Sequence, residues 1–267
     1  MNASYQHNPW ESHSFWKGFG HLDLEEMKGV RLMNRVDTKY LAPLAKLFPL
    51  LEKAKETGFK VQFGKSAING YHSTYFDTPN LDMYTMHHNR KLQRQKVRMR
   101  TYLDTRTSFF EIKNKSNTGR TRKVRILVNN PETDRLKDNK EACQFLQQNS
   151  HYQLEDLVPT LQTVFDRITL VNSEKTERIT IDLNLRFHNL VCNQDADLED
   201  IVIIELKQDG NYTSHMKRIL QFLRIHPFHI SKYCIGTVLT NPKAKHNRFK
   251  RKIHLINKIK NIYEYIN

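Results

Sequence analysis

The sequence predicts an α+β chain, with about eight strands and several peripheral helices, on three observations. Between Lys91 and Arg125 much of the chain alternates with period two. Lys96, Arg98, Arg100 and Tyr102 fall on one parity, then Glu111, Lys113 and Lys115, then Lys123 and Arg125. Residues i and i+2 of a strand point to the same face, so three consecutive strands would line one surface with cations and a carboxylate. The second observation is a cleaner alternation from Glu177 to Phe187. There Arg178, Thr180, Asp182 and Asn184 face one way, and Ile179, Ile181, Leu183 and Leu185 the other. The third is the helical spacing of Leu44, Leu47, Phe48 and Leu51, and of Ala142, Phe145 and Leu146.

In chain order, residues 1–20 are polar and aromatic without periodicity, and read as a loose lead-in with Phe15-Trp16 as its docking point. Leu22 to Val30 reads as a short helix. Arg31 to Leu41 reads as a strand that puts Arg35, Asp37 and Lys39 on one face. Pro43 suits the first turn of a helix to about Thr57, which Pro49 should bend or split. Strands are expected over Phe59–Phe63 and Tyr71–Asp77, and Asp77-Thr78-Pro79-Asn80 reads as a turn into a short helix near Leu81–His87. His87 and His88 are adjacent and so point to different helix faces, which argues against joint metal ligation. Further on, a helix is expected over Asp138–Asn149 and strands over Pro159–Val171 and Asp200–Lys207. Helices follow over Thr213–Ile225 and Ser231–Leu239. Lys243–Asn267 reads as a basic amphipathic helix, so residues 21–242 form one folded domain between the lead-in and this tail.

Composition narrows the partner. A net charge of +15 over 267 residues points to an anion, an acidic surface or nucleic acid. Cys143, Cys192 and Cys234 lie far apart, form no metal-binding motif, and suit a reducing compartment. No apolar run approaches the ~20 residues that span a bilayer, and the first residues lack the order of a signal peptide. The expectation is a cytoplasmic protein. Three roles suit the basic tail: a solvated helix, a contact with a membrane surface, or packing across one end of the fold.

Two arrangements satisfy strands with one cationic and one apolar face. One is a sandwich with a solvated polar face; the other is a closed barrel with a charged interior and helices over its apolar outside. The polar face is too consistently cationic, and too often punctuated by single acids, for plain solvation. A barrel of about eight strands can hold one small ligand. Phosphoryl groups need positive charge at their non-bridging oxygens and commonly a divalent metal held by carboxylates. Arg supplies a planar fork for phosphate, and Lys a point charge. Glu111 and Glu205 each stand two residues before a lysine, offering a carboxylate beside a cation.

Several segments in order carry a resemblance: Arg35-x-Asp37-x-Lys39-Tyr40, Tyr75-Phe76-Asp77-Thr78-Pro79, Lys96-Val97-Arg98-x-Arg100-x-Tyr102, Phe110-Glu111-x-Lys113, Ile204-Glu205-x-Lys207 and Ser231-Lys232-Tyr233. Over roughly residues 20–240 the chain resembles the VTC (vacuolar transporter chaperone) catalytic domain of polyphosphate polymerases, within the CYTH-like triphosphate tunnel metalloenzymes. The resemblance implies an antiparallel eight-stranded β-barrel, or tunnel, holding ATP and a growing polyphosphate chain. It implies transfer of the γ-phosphate of ATP to that chain with Mn²⁺ or Mg²⁺. By matched position, Lys39, Arg98, Arg100, Lys113, Lys123, Arg167 and Lys232 would act on the phosphates. Arg35, Glu111, Arg125, Arg178, Lys207 and Ser231 would bind substrate beside them, and Glu205 would ligate the metal.

The chain departs from the pattern twice. Arg35 and Asp37 stand where the wider superfamily has two acids, which favours phosphate-chain handling over multi-metal hydrolysis. Phe165 stands where the family leads one to expect a tyrosine, removing one hydroxyl. Glu111 and Glu205 have a second reading as salt-bridge partners of lumen cations, and Ser231 as a helix cap. The expected partners are ATP and inorganic polyphosphate, with a membrane protein or the inner membrane face for the tail, and no nucleic acid. The alternatives are a tunnel triphosphatase and a non-catalytic module binding polyphosphate or nucleic acid.

Overall fold

The alternating segments become strands, and the computed structural model describes them within residues 9–23, 26, 35–129, 133–210 and 212–264. The strands are β1 (Gly20–Leu22), β2 (Arg35–Pro43), β3 (Lys60–Gln62), β4 (Ile68–Asp77), β5 (Arg94–Tyr102) and β6 (Thr107–Lys115). They continue with β7 (Thr121–Val128), β8 (Val158–Val171), β9 (Glu177–Asn189), β10 (Gln194–Leu198) and β11 (Ile201–Asp209). Eight of them form one path, β2-β11-β9-β8-β4-β5-β6-β7. Every pairing along it is antiparallel. The short β3 adds to β8 and carries β1 in parallel, while β10 returns along β9.

The expected closure is absent. Among the described residues no ladder joins β7 to β2, so the eight-stranded sheet is curled but open. The edge of β2 is taken by another segment: Phe228 N–H donates to Lys39 C=O at 2.6 Å, and Pro227 forms a bridge with Tyr40. The curl is nevertheless strong, because Lys113 on β6 lies within electrostatic reach of Glu205 on β11 and Lys39 on β2.

The helices are α1 (His13–Trp16), α2 (Leu47–Glu56), α3 (Asp82–His88), α4 (Lys140–Asn149), α5 (His215–Phe222), α6 (Lys232–Thr240) and α7 (Lys250–Glu264). They cover the apolar outside of the sheet. Ile168, Leu170, Ile179, Ile181, Ile204 and Leu206 bury against Leu47, Leu50 and Leu51 of α2 and Met216, Ile219 and Leu220 of α5. Val97, Met99, Phe110 and Ile112 bury against Ala142 and Leu146 of α4. Each such side chain contributes about 1.5–3 kcal/mol relative to exposure. Helix α6 is different: it enters the inner side of the curl, where Tyr233, Cys234 and Ile235 pack with Leu161, Phe165, Leu185 and Phe187.

Other expectations need correcting. The lead-in is not loose where described, since Trp10, Trp16 and Phe19 are buried and Trp16 Nε1–H donates to Trp10 C=O at 2.7 Å. Strand β2 runs through Pro43, and α2 begins only at Leu47. Pro49 therefore sits in the first turn of α2, where N–H groups have no intrahelical partner, and the helix is unbroken. Register between β8 and β9 shifts between Val164 and Asp166, and Asn184 takes φ 52° there. Asn tolerates that left-handed conformation, and the bulge flips the parity that follows. Leu183 packs outward as expected, but Leu185 packs inward. The helix expected at Leu22–Val30, the first four residues of the Arg31 strand, and Ile266 fall largely or wholly outside the described residues.

Tail helix α7 lies on the domain. Ile256 is fully buried, and Ile253 and Ile259 pack with Phe249 on the cluster around α6. Lys252 Nζ donates to His229 C=O, and Lys260 Nζ reaches Asp197 Oδ1 at 3.3 Å. Among the described residues no helix is long and apolar enough to cross a membrane.

Candidate active site

The inner face of the curled sheet is built by the parity read from sequence. From β5 come Lys96, Arg98 and Arg100, from β6 Glu111 and Lys113, and from β7 Lys123. The other half brings Arg167 from β8, Arg178 and Asp182 from β9, Glu205 and Lys207 from β11, and Lys39 from β2. Ser231 and Lys232 enter at the start of α6.

Two carboxylates act as clamps. Glu111 is fully buried and accepts from Arg98 Nε at 2.8 Å, Arg98 Nη2 at 2.5 Å and Lys123 Nζ at 2.9 Å. Burial alone would raise its pKa, but Arg98, Arg100 and Lys123 outweigh burial and hold it well below the usual carboxylate range. Asp182 accepts from Arg167 Nε at 2.5 Å and Nη2 at 2.8 Å, and from Lys232 Nζ. Burial again opposes ionisation, and Arg167 and Lys232 overcome it.

Between the clamps lie cations that form no hydrogen bond or ion pair with an acid among the described residues. Arg100 Nε donates to Ser73 Oγ at 3.2 Å, and its guanidinium lies over Tyr71 and Phe165. Burial, with Arg98 and Arg167 nearby, pushes it down to about 10. Lys113 is driven well below the ordinary lysine value, first by Arg98 and then by burial. Arg178 Nε is buried without a hydrogen-bond partner among the described residues. Lys39 Nζ donates to Ile230 C=O at 3.3 Å. Such a surface is costly while empty and is strongly stabilised when an anion joins the charges.

Glu205 is the least committed lumen carboxylate. Its nearest ion pair is Lys207 at 3.9 Å. Burial raises it, yet Lys39, Lys207, Lys113 and Arg167 bring it down to about 2, so it is ionised at neutral pH. Among the described residues no group of three His, Cys, Asp or Glu side chains could by itself hold a metal ion. The residues do not fit a complete protein cage. A divalent ion would find one protein ligand in Glu205 and would need its remaining ligands from outside the chain.

The remaining expected residues divide. Ser231 Oγ accepts from Lys96 Nζ at 2.8 Å and from the Cys234 N–H, so the cap reading holds and the hydroxyl sits beside a lumen cation. Arg35 is 41% exposed and pairs with Asp37 at 2.6 Å, within electrostatic reach of Arg178. Arg125 is also exposed, its guanidinium 4.2 Å from the Phe109 ring centroid. Phe165, lacking the expected hydroxyl, offers its face to Lys232 at 4.2 Å. Asp77 accepts from the Thr78, Met83 and Tyr84 N–H groups and from Tyr233 O–H, so it fixes the turn and α3. Asp182 was absent from the expected set, although its parity with Arg178 and Thr180 marked it. Ser73 and Tyr75, whose hydroxyl meets Arg98 at 3.4 Å, were missed too.

The lysine shifts give a pH dependence of opposite sign for stability and for binding. Burial pushes both Lys207 and Lys232 down to about 8. An unfolded lysine titrates near 10.4, so between about pH 8 and 10.4 the unfolded chain holds more protons. The ligand-free protein is expected to gain stability as pH rises through that window. Affinity for tripolyphosphate should fall over the same window as the lumen loses charge. Urea unfolding and calorimetric titration at about pH 7 and about pH 9 check the two slopes.

No curated protein matches the chain. Among solved structures it is similar to a candidate adenylate cyclase from Vibrio parahaemolyticus, at 12% identity and TM-score 0.46, covering 77% of this chain and 99% of that one. A candidate adenylate cyclase from Bacillus halodurans gives 12% identity and TM-score 0.48 over 74% and 96% of the two chains. A candidate adenylyl cyclase from Hippeastrum with a dominant triphosphatase activity gives 11% identity and TM-score 0.43 over 77% and 96%. The family model for the VTC domain matches residues 34–241, which hold every strand of the cationic lumen, and the chain belongs to the VTC domain family.

Proposed function

We propose that this chain is a metal-assisted polyphosphate polymerase, transferring the γ-phosphate of ATP to the end of an inorganic polyphosphate chain. The observation that carries the proposal is the contrast inside one lumen between clamped and unclamped charge. Glu111 and Asp182 are neutralised by their own cations, which leaves Arg100 and Lys113 for an extended polyanion. The Arg35–Asp37 pair engages a further carboxylate, which favours chain handling with little metal over multi-metal hydrolysis.

In this scheme the arginines and lysines align the triphosphate with the chain end. A terminal chain oxygen attacks the γ-phosphorus in line, the bond to the β,γ-bridging oxygen breaks, and ADP leaves. Positive charge already in place neutralises what builds up on the non-bridging oxygens. A divalent ion held by Glu205 would add charge neutralisation across the phosphates. No side chain is needed as a covalent nucleophile.

Incubation with ATP and Mn²⁺ is expected to accumulate long polyphosphate chains. Glu205→Gln should lower that turnover at least about 100-fold and blunt its response to divalent ion. Phosphate release without chains would replace the proposal with a triphosphatase. Binding that falls steeply with salt, ignores metal and gives no turnover would replace it with a binding module.

A further inference from the structure

The structure assigns a second phosphoryl subsite, formed by His87, Arg94, Lys96 and Lys115, where the lumen meets the start of α6. The central cluster uses only part of β5. Towards its beginning, Lys96 and Arg94 keep the parity of Arg98 and Arg100. Arg94 stands directly across from Lys115, and Lys96 across from Lys113. Lys96 Nζ is fixed to Ser231 Oγ at 2.8 Å, and Arg94 Nη1 to Lys91 C=O at 2.6 Å. Helix α3 leaves the end of β4, packs on β5, and brings His87 to the same place in its last turn.

Two buried polar atoms of this cluster, His87 Nε2 and Arg94 Nε, have no hydrogen-bond partner among the described residues. None of the four side chains forms an ion pair with a carboxylate among the described residues. Buried polar groups are nearly always satisfied, and buried like charges are nearly always compensated, so both lacks point to one absent anion. Burial, with Lys96, Arg94 and Lys115 around it, pushes His87 down to about 2. A phosphoryl group would offset those cations, accept from Arg94 Nε, and let His87 regain the proton that makes Nε2 a donor.

Distance sets the ligand class. Arg94 is four residues from Arg98, roughly 13 Å along the strand, beyond a triphosphate gripped at Arg98 and Arg100. A longer linear chain held in the same lumen does reach it. The identity of that chain rests on the polymerase reading, whereas the subsite rests on its own residues.

The test compares binding of tripolyphosphate and of linear polyphosphate of about twenty units to wild type, Lys115→Ala and Arg94→Gln. Wild type is expected to prefer the long chain by about tenfold, and each variant to bring that ratio close to one. Lys115 is only half-buried, so its variant retains the fold even if Arg94→Gln does not. A preference that survives both substitutions, or that wild type lacks, overturns the subsite. Chain synthesis is followed on the same wild-type preparation. A preference lost in the variants, from a wild type that makes no polyphosphate, upholds the subsite and overturns the polymerase reading alone.

Discussion

Replacing Arg98 with alanine is expected to reduce ATP-dependent chain synthesis at least about 1,000-fold and to remove about 3–5 kcal/mol of stability. The stability loss comes from Glu111. That carboxylate has no solvent exposure, and without Arg98 its only direct cation among the described residues is Lys123, whose side chain is 40% exposed. In the wild type, Arg98, Arg100 and Lys123 outweigh burial and keep the Glu111 pKa depressed, so the clamp stabilises the fold at neutral pH. That contribution fades as pH falls below about 4.3, where an unfolded glutamate takes up its proton. The double variant Arg98→Met with Glu111→Leu should recover most of the stability and none of the activity, because an apolar pair can replace a buried ion pair but cannot hold phosphate. Denaturant unfolding and product electrophoresis on the three proteins separate the effects. Activity in the double variant would sink the catalytic assignment.

Gly236→Ala is expected to have the next largest effect, at a residue that touches no phosphate. A Cβ there would lie 2.4 Å from Phe187 Cδ1 and 2.6 Å from Leu161 Cδ2, so those side chains must give way or α6 must lift from the sheet. Overpacking of this kind costs about 1–3 kcal/mol. The same shift displaces Lys232 from Asp182 and Ser231 from Lys96, since both begin α6. Lower thermal stability is expected together with a fall in turnover of about tenfold or more. Adding Phe187→Leu opens space beside the new methyl and should restore part of both. An unchanged melting temperature in Gly236→Ala would show that the helix is not held by this contact.

Much of the lumen was legible because a strand converts parity into a surface without help from distant residues. The alternations of β5, β6 and β9 placed Arg98, Glu111, Lys113 and Arg178 where they stand. What depended on tertiary partners was not legible. Closure turned on which group takes the β2 edge, and Phe228, almost two hundred residues away, takes it. The inward turn of Leu185 required a bulge at Asn184, for which a lone asparagine in a strand is a weak signal. Pro49 looked disruptive only while the helix was assumed to start at Pro43. The two roles of Asp182 belong to Arg167 and Lys232, which come from elements that the alternation of β9 says nothing about. His87 joins Arg94 and Lys96 only because α3 folds back onto β5.

The open side of the sheet has a further consequence. An unpaired strand edge is a template for another chain, and charged side chains are a common defence against such pairing. Edge strand β7 carries Arg122, Lys123 and Arg125, all exposed, so two copies brought edge to edge would repel. Lys123 also clamps Glu111 in the lumen. Lys123 therefore serves both the inner clamp and the charge of the exposed edge, and a substitution that removes it weakens both at once.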